Sequence, residues 1–500
     1  MNSRAKSIFF FLLFLYLIRL FLIGFLQLIP DEAHYWYWSK NLALSYFDHP
    51  PMVAYLMAFF TWIGGDSQFF VRLGGLLITV IAHVFLYLTI KKLSRNKILS
   101  WELLLVLNIT LLFSAGCIVQ TPDTPLLLFW TLALYSATQI IVGGTATWWY
   151  LFGVALGLGL LSKYTMILVV PCQFAFLLFS REHRHWLKRK EPYLAMLLGL
   201  IIFSPVIVWN WQHGWVSFAF QLNQGFSPEE GSSVFKLLEY VGGQLGVITP
   251  LLFLAFVYYT AWGFYHAGRQ GISEYLYLAL MSWPILIFFG LSTLRGEVAE
   301  ANWPAPAYIA GIVLMLMVFR QHFSERSGHR KFVYIGVGLA LVLNLLIYVH
   351  LFIPTIPISP RYDPTKQFHG WRELGTKINS YIQQYPWQEG YFLVAERITI
   401  VAEAVFYTGN KYIGLDFFTP EEYTFLRDVD QLKGKNAIIL IHDLEDARIK
   451  RYEPYFEEVV VLGKNTSKFR GETINKPSLH ILLGKQHRGN WRPAIKNPGL

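Results

Sequence analysis

The chain has 500 residues, of which 54% are hydrophobic, 17% are aromatic and only 15% are charged, and its mean hydropathy is +0.39. A typical soluble domain carries roughly 25% charged residues, so this composition excludes an ordinary soluble enzyme. Two cysteines, Cys117 and Cys172, both lie in apolar runs, which argues against a disulfide framework or a cysteine metal site.

The first apolar run covers residues 8–29 and has the length of a membrane-spanning helix. It is too long for the core of a signal peptide, and no small-residue cleavage site follows it, so a retained first helix is predicted. About 11 transmembrane helices are expected in all. The apolar segments lie near 8–29, 69–90, 99–119, 123–142, 148–161, 165–180, 193–211, 244–263, 275–292, 304–319 and 332–353.

Basic residues alternate along these segments in the pattern of a multi-pass membrane protein. With the N-terminus in the cytoplasm, the inner segments carry sixteen lysines and arginines and the outer loops carry four. The excess of basic residues behind the formal charge of +10 is therefore explained by the orientation of the chain in the membrane, and it requires no nucleic-acid partner. The first outer loop, 30–68, contains the apolar segment 52–63, which is too short to span and is predicted as an interfacial or re-entrant helix.

The character of the chain changes after residue 353. Four prolines predict a linker over 354–365, and residues 366–500 are predicted to form a soluble α/β domain with a small mixed sheet. Eleven spans place this domain outside the cytoplasm, which is the periplasm if the protein belongs to a bacterial inner membrane. Short apolar runs predict the strands, at 391–395, 437–441, 458–462 and 479–483, and helical spacing predicts helices at 371–384, 396–408 and 419–427.

Acidic residues follow directly after the first predicted span. Asp31 and Glu32 stand at the membrane boundary among aromatic residues that include Tyr35 and Trp38. Carboxylates are costly so close to hydrocarbon, which favours a site that binds or deprotonates something polar. The rest of the first outer loop adds Asp48 and His49. The later outer loops add an acid, isolated cations and further polar or aromatic residues, namely Asp123, Lys163, Tyr164, Arg295, Glu300, Asn302 and Trp303.

This combination of residues suits glycosyl transfer from a lipid phosphate. A carboxylate accepts the proton of the attacking hydroxyl, and lysine, arginine or a metal neutralises the departing phosphate. The lipid tail of the donor keeps its phosphate at the depth of these loops. Aromatic rings such as those of Tyr35 and Trp38 suit both the interface and the faces of sugars.

Several motifs resemble one family. The acids Asp31-Glu32 with the segment 46–51 (YFDHPP) are similar to the first outer loop of GT-C-fold, polyprenyl-phosphate-dependent glycosyltransferases. This superfamily includes bacterial relatives of the protein O-mannosyltransferases and the aminoarabinose and galacturonic acid transferases that act on lipid A or its core. Further motifs occur in the expected order, at 121–126 (TPDTPL), 159–165 (GLLSKYT), 204–205 (SP), 209–210 (WN) and 302–304 (NWP).

The resemblance covers roughly residues 1–353, identifies this region as the catalytic membrane domain and implies roles for matching residues. Asp31 falls at the catalytic acid, which is expected to act as the base, with Glu32 beside it. Asp48 falls where aminoarabinose transferases have a glutamate, and His49 falls where they have a lysine. A neutral imidazole at His49 could ligate a divalent metal with Asp48, whereas a lysine would contact phosphate, so metal use stays open.

The remaining site residues follow from the same resemblance. Lys163 and Arg295, with His49, are the candidates for contacting the donor phosphate. The expected substrate-binding residues are Tyr35, Trp38, Asp123, Tyr164, Glu300, Asn302 and Trp303.

Structural alternatives exist for most of these residues. Asp31 and Glu32 could cap an interfacial helix, and Glu32 could orient Asp31 without taking part in the chemistry. Asp48 and His49 could cap the turn set by the following prolines. In the other loops, Asp123 is a good helix N-cap, Lys163 could extend to the interface, and Arg295 could pair with Glu297 on the surface.

The expected function is that of an inverting glycosyltransferase. It would move a sugar from an undecaprenyl-type phosphate donor to lipid A, another glycan or a protein, on the outer face of a bacterial inner membrane. The alternative is a flippase or transporter for a polyprenyl-linked sugar, which would need polar groups through the bilayer depth or inverted repeats. A non-catalytic assembly or sensor protein would leave the acidic first loop unexplained. The sugar, the acceptor and the oligomeric state are left open.

Overall fold

The computed structural model describes residues 3–226, 233–416, 429–474 and 477–490. The chain divides into two compact units. The first unit comprises Met1–Leu20, Leu44–Val53 and Gly75–Tyr348, and the second comprises Phe21–Ala43, Ala54–Gly74 and Val349–Leu500. The predicted division into 1–353, a linker and 366–500 stays a prediction.

Helices dominate the region before residue 353. In chain order they are α1 (Ser3–Phe25), α2 (Pro30–Ser39), α3 (Met52–Gly64), α4 (Gln68–Ser94), α5 (Lys97–Ile109), α6 (Leu111–Gly116), α7 (Asp123–Gly143), α8 (Trp148–Leu160), α9 (Val169–Phe179), α10 (Glu191–Gln212), α11 (Val216–Phe226), α12 (Ser233–Ile248), α13 (Pro250–Gln270), α14 (Ser273–Leu280), α15 (Trp283–Thr293), α16 (Ala305–Val318) and α17 (Ser327–His350).

Among the described residues, seven helices are long and apolar enough to cross a membrane, and an eighth span results if α12 and α13 count as one broken span. These two helices meet at an angle of 103° beside Thr249, whose φ is +75°. The predicted number of eleven is therefore not confirmed. The predicted segment 99–119 is divided at Thr110, whose backbone is extended, and the predicted spans 148–161 and 165–180 are shorter helices. Polytopic helical architecture itself is confirmed.

All residues of helix α16 are buried, which shows that this helix lies in the interior of the first unit. Gly311 on this helix permits close packing, since a Cβ there would overlap the ring of Phe256 and the hydroxyl of Ser282. The helix is thus enclosed by protein along its whole length.

The second unit contains a mixed five-stranded sheet with the order β2-β1-β3-β7-β4. Strand β1 is parallel to β2 and β3, whereas β7 is antiparallel to β3 and β4. The strands are β1 (Tyr391–Ala395), β2 (Ile413–Asp416), β3 (Asn436–Ile441), β4 (Phe456–Lys464), β5 (Lys468–Phe469), β6 (Glu472–Thr473) and β7 (His480–His487), of which β5 and β6 form a separate ribbon. The helices are α18 (Trp371–Gln384), α19 (Ile398–Tyr407) and α20 (Asp446–Lys450).

The predicted C-terminal α/β domain is confirmed in its elements. All four predicted strands are present, and so are the helices predicted at 371–384 and 396–408. Strand β2 was not predicted because it is only four residues long and lacks a clear apolar run. The helix predicted at 419–427 lies outside the described residues.

Helix α2 packs against α19 within the second unit. The ring of Trp36 meets that of Phe406 edge to face at 4.8 Å, and the Tyr37 hydroxyl donates a hydrogen bond of 3.1 Å to the carbonyl of Gly414. These contacts fix the short helix on which the first two acids of the sequence stand.

Candidate active site

The first turn of α2 presents Asp31. Pro30 begins the helix, where its missing N–H costs nothing, and Glu32 reaches back to accept a hydrogen bond of 3.2 Å from the backbone N–H of Ile29. Asp31 is exposed, whereas Glu32 is fully buried. Two adjacent acids therefore have different surroundings, and Asp31 is the one that a substrate can reach.

Glu32 forms a buried ion pair with Arg72 of α4. Arg72 Nε lies 2.7 Å from Glu32 Oε1, and Arg72 Nη2 lies 2.5 Å from Oε2. Arg72 also donates to the carbonyls of Leu26 and Gln27, at 2.8 Å each, which close the end of α1 onto α2. Both side chains of the pair have no exposed surface. This geometry favours the alternative in which Glu32 orients Asp31, and a chemical role for Glu32 stays a prediction.

A third acid, Glu403 of α19, is fully buried in the same unit. Both of its carboxylate oxygens lack a hydrogen-bond partner among the described residues. Burial raises the pKa of Glu403 well above its ordinary value of 4.5, the negative charges of Glu32 and Asp31 raise it further, and Arg72 opposes them. The neutral form of Glu403 is therefore favoured, and Glu403 is electrostatically coupled to the two acids of α2.

Sequence reasoning missed Arg72 and Glu403 as members of this cluster. A signal existed for Arg72, because a charged residue inside an apolar helix needs a partner. Glu403 gave no such signal, since it stands in a stretch that resembles an ordinary domain helix.

The first unit contains a second polar cluster built from three predicted residues. Lys163 Nζ lies 2.7 Å from Asp123 Oδ1, and Asn302 Nδ2 donates to Asp123 Oδ2 at 2.8 Å. The lysine and aspartate side chains are 11% and 13% exposed. Asp123 is the first residue of α7, but the N-cap is Pro122 and no side chain caps the helix, so the N-cap alternative is wrong. Its carboxylate is bound by Lys163 and Asn302 instead. The structure thus brings together residues from three separate predicted loops.

Three other predicted residues, Tyr164, Glu300 and Trp303, are also located in the first unit. The Tyr164 hydroxyl shares a hydrogen bond of 2.7 Å with Ser217. The Trp303 ring is half-buried and packs 6.0 Å from that of Phe289. Glu300 is exposed on the same loop as Trp303.

Arg295 is exposed, and within the described residues it forms no ion pair with Glu297. A neighbouring cation not predicted as a site residue, Lys236, is buried and donates to the carbonyl of Gly296 at 3.0 Å. The guanidinium of Arg295 is therefore accessible to a ligand, as its predicted role requires.

The predicted aromatic contacts Tyr35 and Trp38 lie on the buried face of α2. Trp38 is 1% exposed, and its ring packs against those of His34 and Tyr35, at 4.6 and 5.2 Å. Their predicted role in substrate binding stays untested, and their visible role is to pack α2.

Asp48 and His49 are half-buried in the first unit, where the Asp48 carbonyl accepts a hydrogen bond of 2.7 Å from Gln221. No group of three or more histidines, cysteines or acids suited to a metal ion is found in 3–226 or the later described ranges. Two neighbouring protein ligands fall short of the three or more that catalytic metal sites commonly supply. The metal site suggested at Asp48 and His49 stays a prediction.

Comparisons with known proteins show which sequences and folds this chain is similar to. The family model described as dolichyl-phosphate-mannose-protein mannosyltransferase matches residues 48–209. The lipid A galacturonosyltransferase RgtD of Rhizobium johnstonii is 28% identical over 338 residues, which cover 66% of each protein. The crystal structure of ArnT from Cupriavidus metallidurans in the apo state superposes with a TM-score of 0.68, at 14% identity, over 96% of this chain and 98% of that one. The chain is therefore similar in sequence to glycosyltransferases, and it shares the fold of ArnT.

A further relative and a further solved structure are also similar to this chain. The undecaprenyl phosphate-alpha-4-amino-4-deoxy-L-arabinose arabinosyl transferase of Yersinia enterocolitica is 26% identical over 202 residues, 36% of this chain and 33% of that protein. ArnT bound to undecaprenyl phosphate superposes with a TM-score of 0.65 at 14% identity, over 96% of this chain and 98% of that one. The matched regions span 66% and 33% of the lengths of the two curated relatives. At 14% identity, the likeness of this chain to the solved structures concerns the fold.

Proposed function

We propose that this protein transfers a sugar from a polyprenyl phosphate donor to an acceptor hydroxyl at the outer face of the inner membrane. The acceptor class that we favour is a lipid A-type glycolipid, since a relative that matches across 66% of the chain is named for lipid A. Another glycan and a protein are the remaining acceptors. The observation that carries the proposal is that Asp31 is exposed, whereas the neighbouring Glu32–Arg72 ion pair is fully buried.

Asp31 is well placed to act as a general base. The Glu32–Arg72 ion pair and the hydrogen bond from Ile29 hold the first turn of α2 in one conformation. Asp31 on this turn is therefore positioned before the acceptor binds, which lowers the entropy cost of reaching the reactive geometry. The raised pKa of Glu403 favours its neutral form, which limits the negative charge that competes with Asp31 in the cluster.

The proposed reaction is a single displacement. Asp31 accepts the proton of the acceptor hydroxyl while the acceptor oxygen bonds to the anomeric carbon of the sugar. The bond from that carbon to the phosphate oxygen breaks, and polyprenyl phosphate leaves with the electron pair. Because attack and departure occur on opposite faces, the anomeric configuration inverts.

The departing phosphate needs a cation. Lys163 and Arg295 are the proposed partners, because Lys163 keeps some exposed surface and Arg295 is exposed. A phosphate oxygen could replace Asp123 as the partner of Lys163, leaving Asp123 with Asn302. His49 stays a further candidate for this role.

The test combines cells and purified protein. Outer-leaflet lipids and glycans would be compared by mass spectrometry among the wild type, a deletion strain, Asp31→Asn and the matched control Asp446→Asn, an exposed acid of the C-terminal region. We expect one sugar-sized mass to be lost in both the deletion and Asp31→Asn and retained in Asp446→Asn. With purified protein, Asp31→Asn should lower kcat by about 10²- to 10⁴-fold, the usual contribution of a positioned base.

Two outcomes would contradict the proposal. Normal transfer by Asp31→Asn would remove Asp31 as the base. Loss of the polyprenyl-linked sugar from the outer leaflet of the deletion strain, with no loss of sugar from any acceptor, would instead indicate a flippase.

A further inference from the structure

The exposed side of Asp31 opens into a cavity that the C-terminal segment of the second unit largely forms. Its volume is 820 Å³. Besides Asp31, its charged lining consists of Arg361, Lys366, Arg397 and Glu472. The cavity is therefore large enough for a saccharide and carries three cations against two carboxylates.

The three cations are available to a ligand. None of them forms an ion pair with an acid in the part of the chain that the structure describes. Lys366 Nζ instead donates to the backbone carbonyl of Arg361, a neutral acceptor. Arg397 is exposed and Lys366 half-buried. Cations gathered around a cavity without carboxylate partners repel one another unless an anion joins them.

The segment that carries two of these cations is fixed in place. Buried Asp363 accepts hydrogen bonds from the Thr365 backbone and hydroxyl at 2.9 and 2.7 Å, and it pairs with Arg470 at 2.7 Å and His350 at 2.9 Å. Burial raises the pKa of Asp363, but these hydrogen bonds and the charge of Arg470 outweigh burial, and the net shift is downward. Arg361 and Lys366 therefore flank an anchored turn.

The third cation stands at a helix N-terminus. Arg397 directly precedes α19, no side chain caps this helix, and its first turn contains no acid. Thr399 in that turn also lines the cavity. The partial positive charge of the helix N-terminus thus adds to that of the Arg397 guanidinium, whose fork matches phosphate and carboxylate geometry.

We infer that this cavity binds an anionic group, a phosphate or a carboxylate, on the saccharide of the acceptor. The inference rests on the proposed function in one respect. Because Asp31 lines the same cavity and meets the acceptor hydroxyl, the anion held there belongs to the molecule that carries that hydroxyl. The C-terminal region would then select acidic acceptors, by holding their charge while Asp31 takes the proton.

The test measures binding without any transfer. Full-length protein in nanodiscs, without donor, would be titrated with an acyl disaccharide that carries phosphates, with one that carries uronate carboxylates and with a neutral one. The variants are Arg397→Gln and the double variant Arg361→Gln/Lys366→Gln. The matched control is Lys411→Gln, an exposed lysine of the second unit that does not line the cavity.

We expect the wild type to bind at least one acidic probe about 10- to 100-fold more tightly than the neutral probe, as charge-assisted hydrogen bonds allow. Arg397→Gln and the double variant should each lose most of that preference, with unchanged melting temperature and unchanged binding of the neutral probe. Lys411→Gln should keep the preference. Equal binding of both acidic probes by the wild type and by both cavity variants would overturn the inference.

Two further experiments are needed. The first distinguishes an anion on the acceptor from the phosphate of the donor, and the second separates this inference from the proposed role of Asp31 as the base. Binding of a polyprenyl monophosphate should be unaffected by the cavity variants. If only that binding weakens, the cations hold the donor phosphate and the acceptor assignment is wrong. Asp31→Asn should keep its preference for the acidic probe while losing transfer. A variant Asp31→Asn that transfers normally would defeat the assigned base, whereas the binding result would stand or fall separately.

Discussion

The two units each contain a carboxylate paired with a cation, and the two pairs differ in accessibility. Glu32 and Arg72 in the second unit have no exposed surface, and Arg72 is further bonded to backbone carbonyls. Asp123 and Lys163 in the first unit keep 13% and 11% of their side chains exposed and share an amide, Asn302. The fully buried pair Glu32–Arg72, called the sealed pair below, stabilises the fold. The partly exposed pair Asp123–Lys163, called the reachable pair, can exchange a protein partner for a ligand.

Breaking the sealed pair should give the largest effect. Arg72→Met leaves Glu32 charged and buried, and we expect it to lower the free energy of unfolding by about 3–5 kcal/mol. The measurement is the melting temperature of detergent-purified protein, together with the yield of folded protein. The double variant Glu32→Leu/Arg72→Met should recover a large part of the loss, because no uncompensated charge is left. An Arg72→Met protein as stable as the wild type would show that the pair does not hold the first turn of α2.

Breaking the reachable pair should affect transfer more than stability. Lys163→Gln removes the cation, but Asp123 keeps its hydrogen bond from Asn302, so the loss of stability should be only about 1–2 kcal/mol. Transfer should fall about 10²-fold, since a cation at a departing phosphate contributes to the transition state. The kinetic measurement is kcat and the KM of the donor. Full activity in Lys163→Gln would assign this pair to structure alone and remove the contrast between the units.

The smallest effect concerns Glu403, the buried acid electrostatically coupled to Glu32. The pKa of Glu403 is raised in the folded protein, so the folded state keeps a proton that the unfolded state releases above its pKa of about 4.5. The contribution of this group to stability therefore falls as pH rises from that value toward the raised pKa, by at most about 1.4 kcal/mol per pH unit.

Glu403→Gln, which has a similar shape and cannot ionise, should remove this pH dependence and be at least as stable as the wild type at pH 8. Melting temperatures from pH 5 to pH 9 would test this expectation, with Glu457→Gln, an exposed acid, as the control. Parallel curves for the wild type and Glu403→Gln would mean that Glu403 is ionised in the folded protein.

Local pattern was sufficient to predict part of this structure. The strands over 391–395 and 437–441 and the helix over 371–384 follow from apolar runs and helical spacing within a few residues. The position of Asp31 at the start of a short helix after the first span follows from Pro30 and the end of the apolar run. These features depend only on neighbouring residues, so one sequence contains enough information.

Long-range pairing could not be predicted in the same way. The partner of Glu32 is 40 positions away on another helix, and Glu403 joins the cluster from beyond the predicted linker. The contact of Asp123 with Lys163 and Asn302 likewise depends on how separate helices pack. The predicted number of spans is not confirmed for a related reason, since an apolar run such as 99–119 can be divided by a break that hydropathy does not register.

The enclosed helix α16 explains a difference in hydropathy among the spans. The span Ala305–Phe323, which contains α16, is 83% buried and has the lowest hydropathy of the seven, 1.3, whereas Ser3–Phe25 is 33% buried and reaches 2.6. A helix surrounded by protein does not have to match the thickness of the bilayer, but a helix that faces lipid does. A change in membrane thickness would therefore act first on peripheral helices such as α1, through their tilt, and reach α16 only through its protein neighbours.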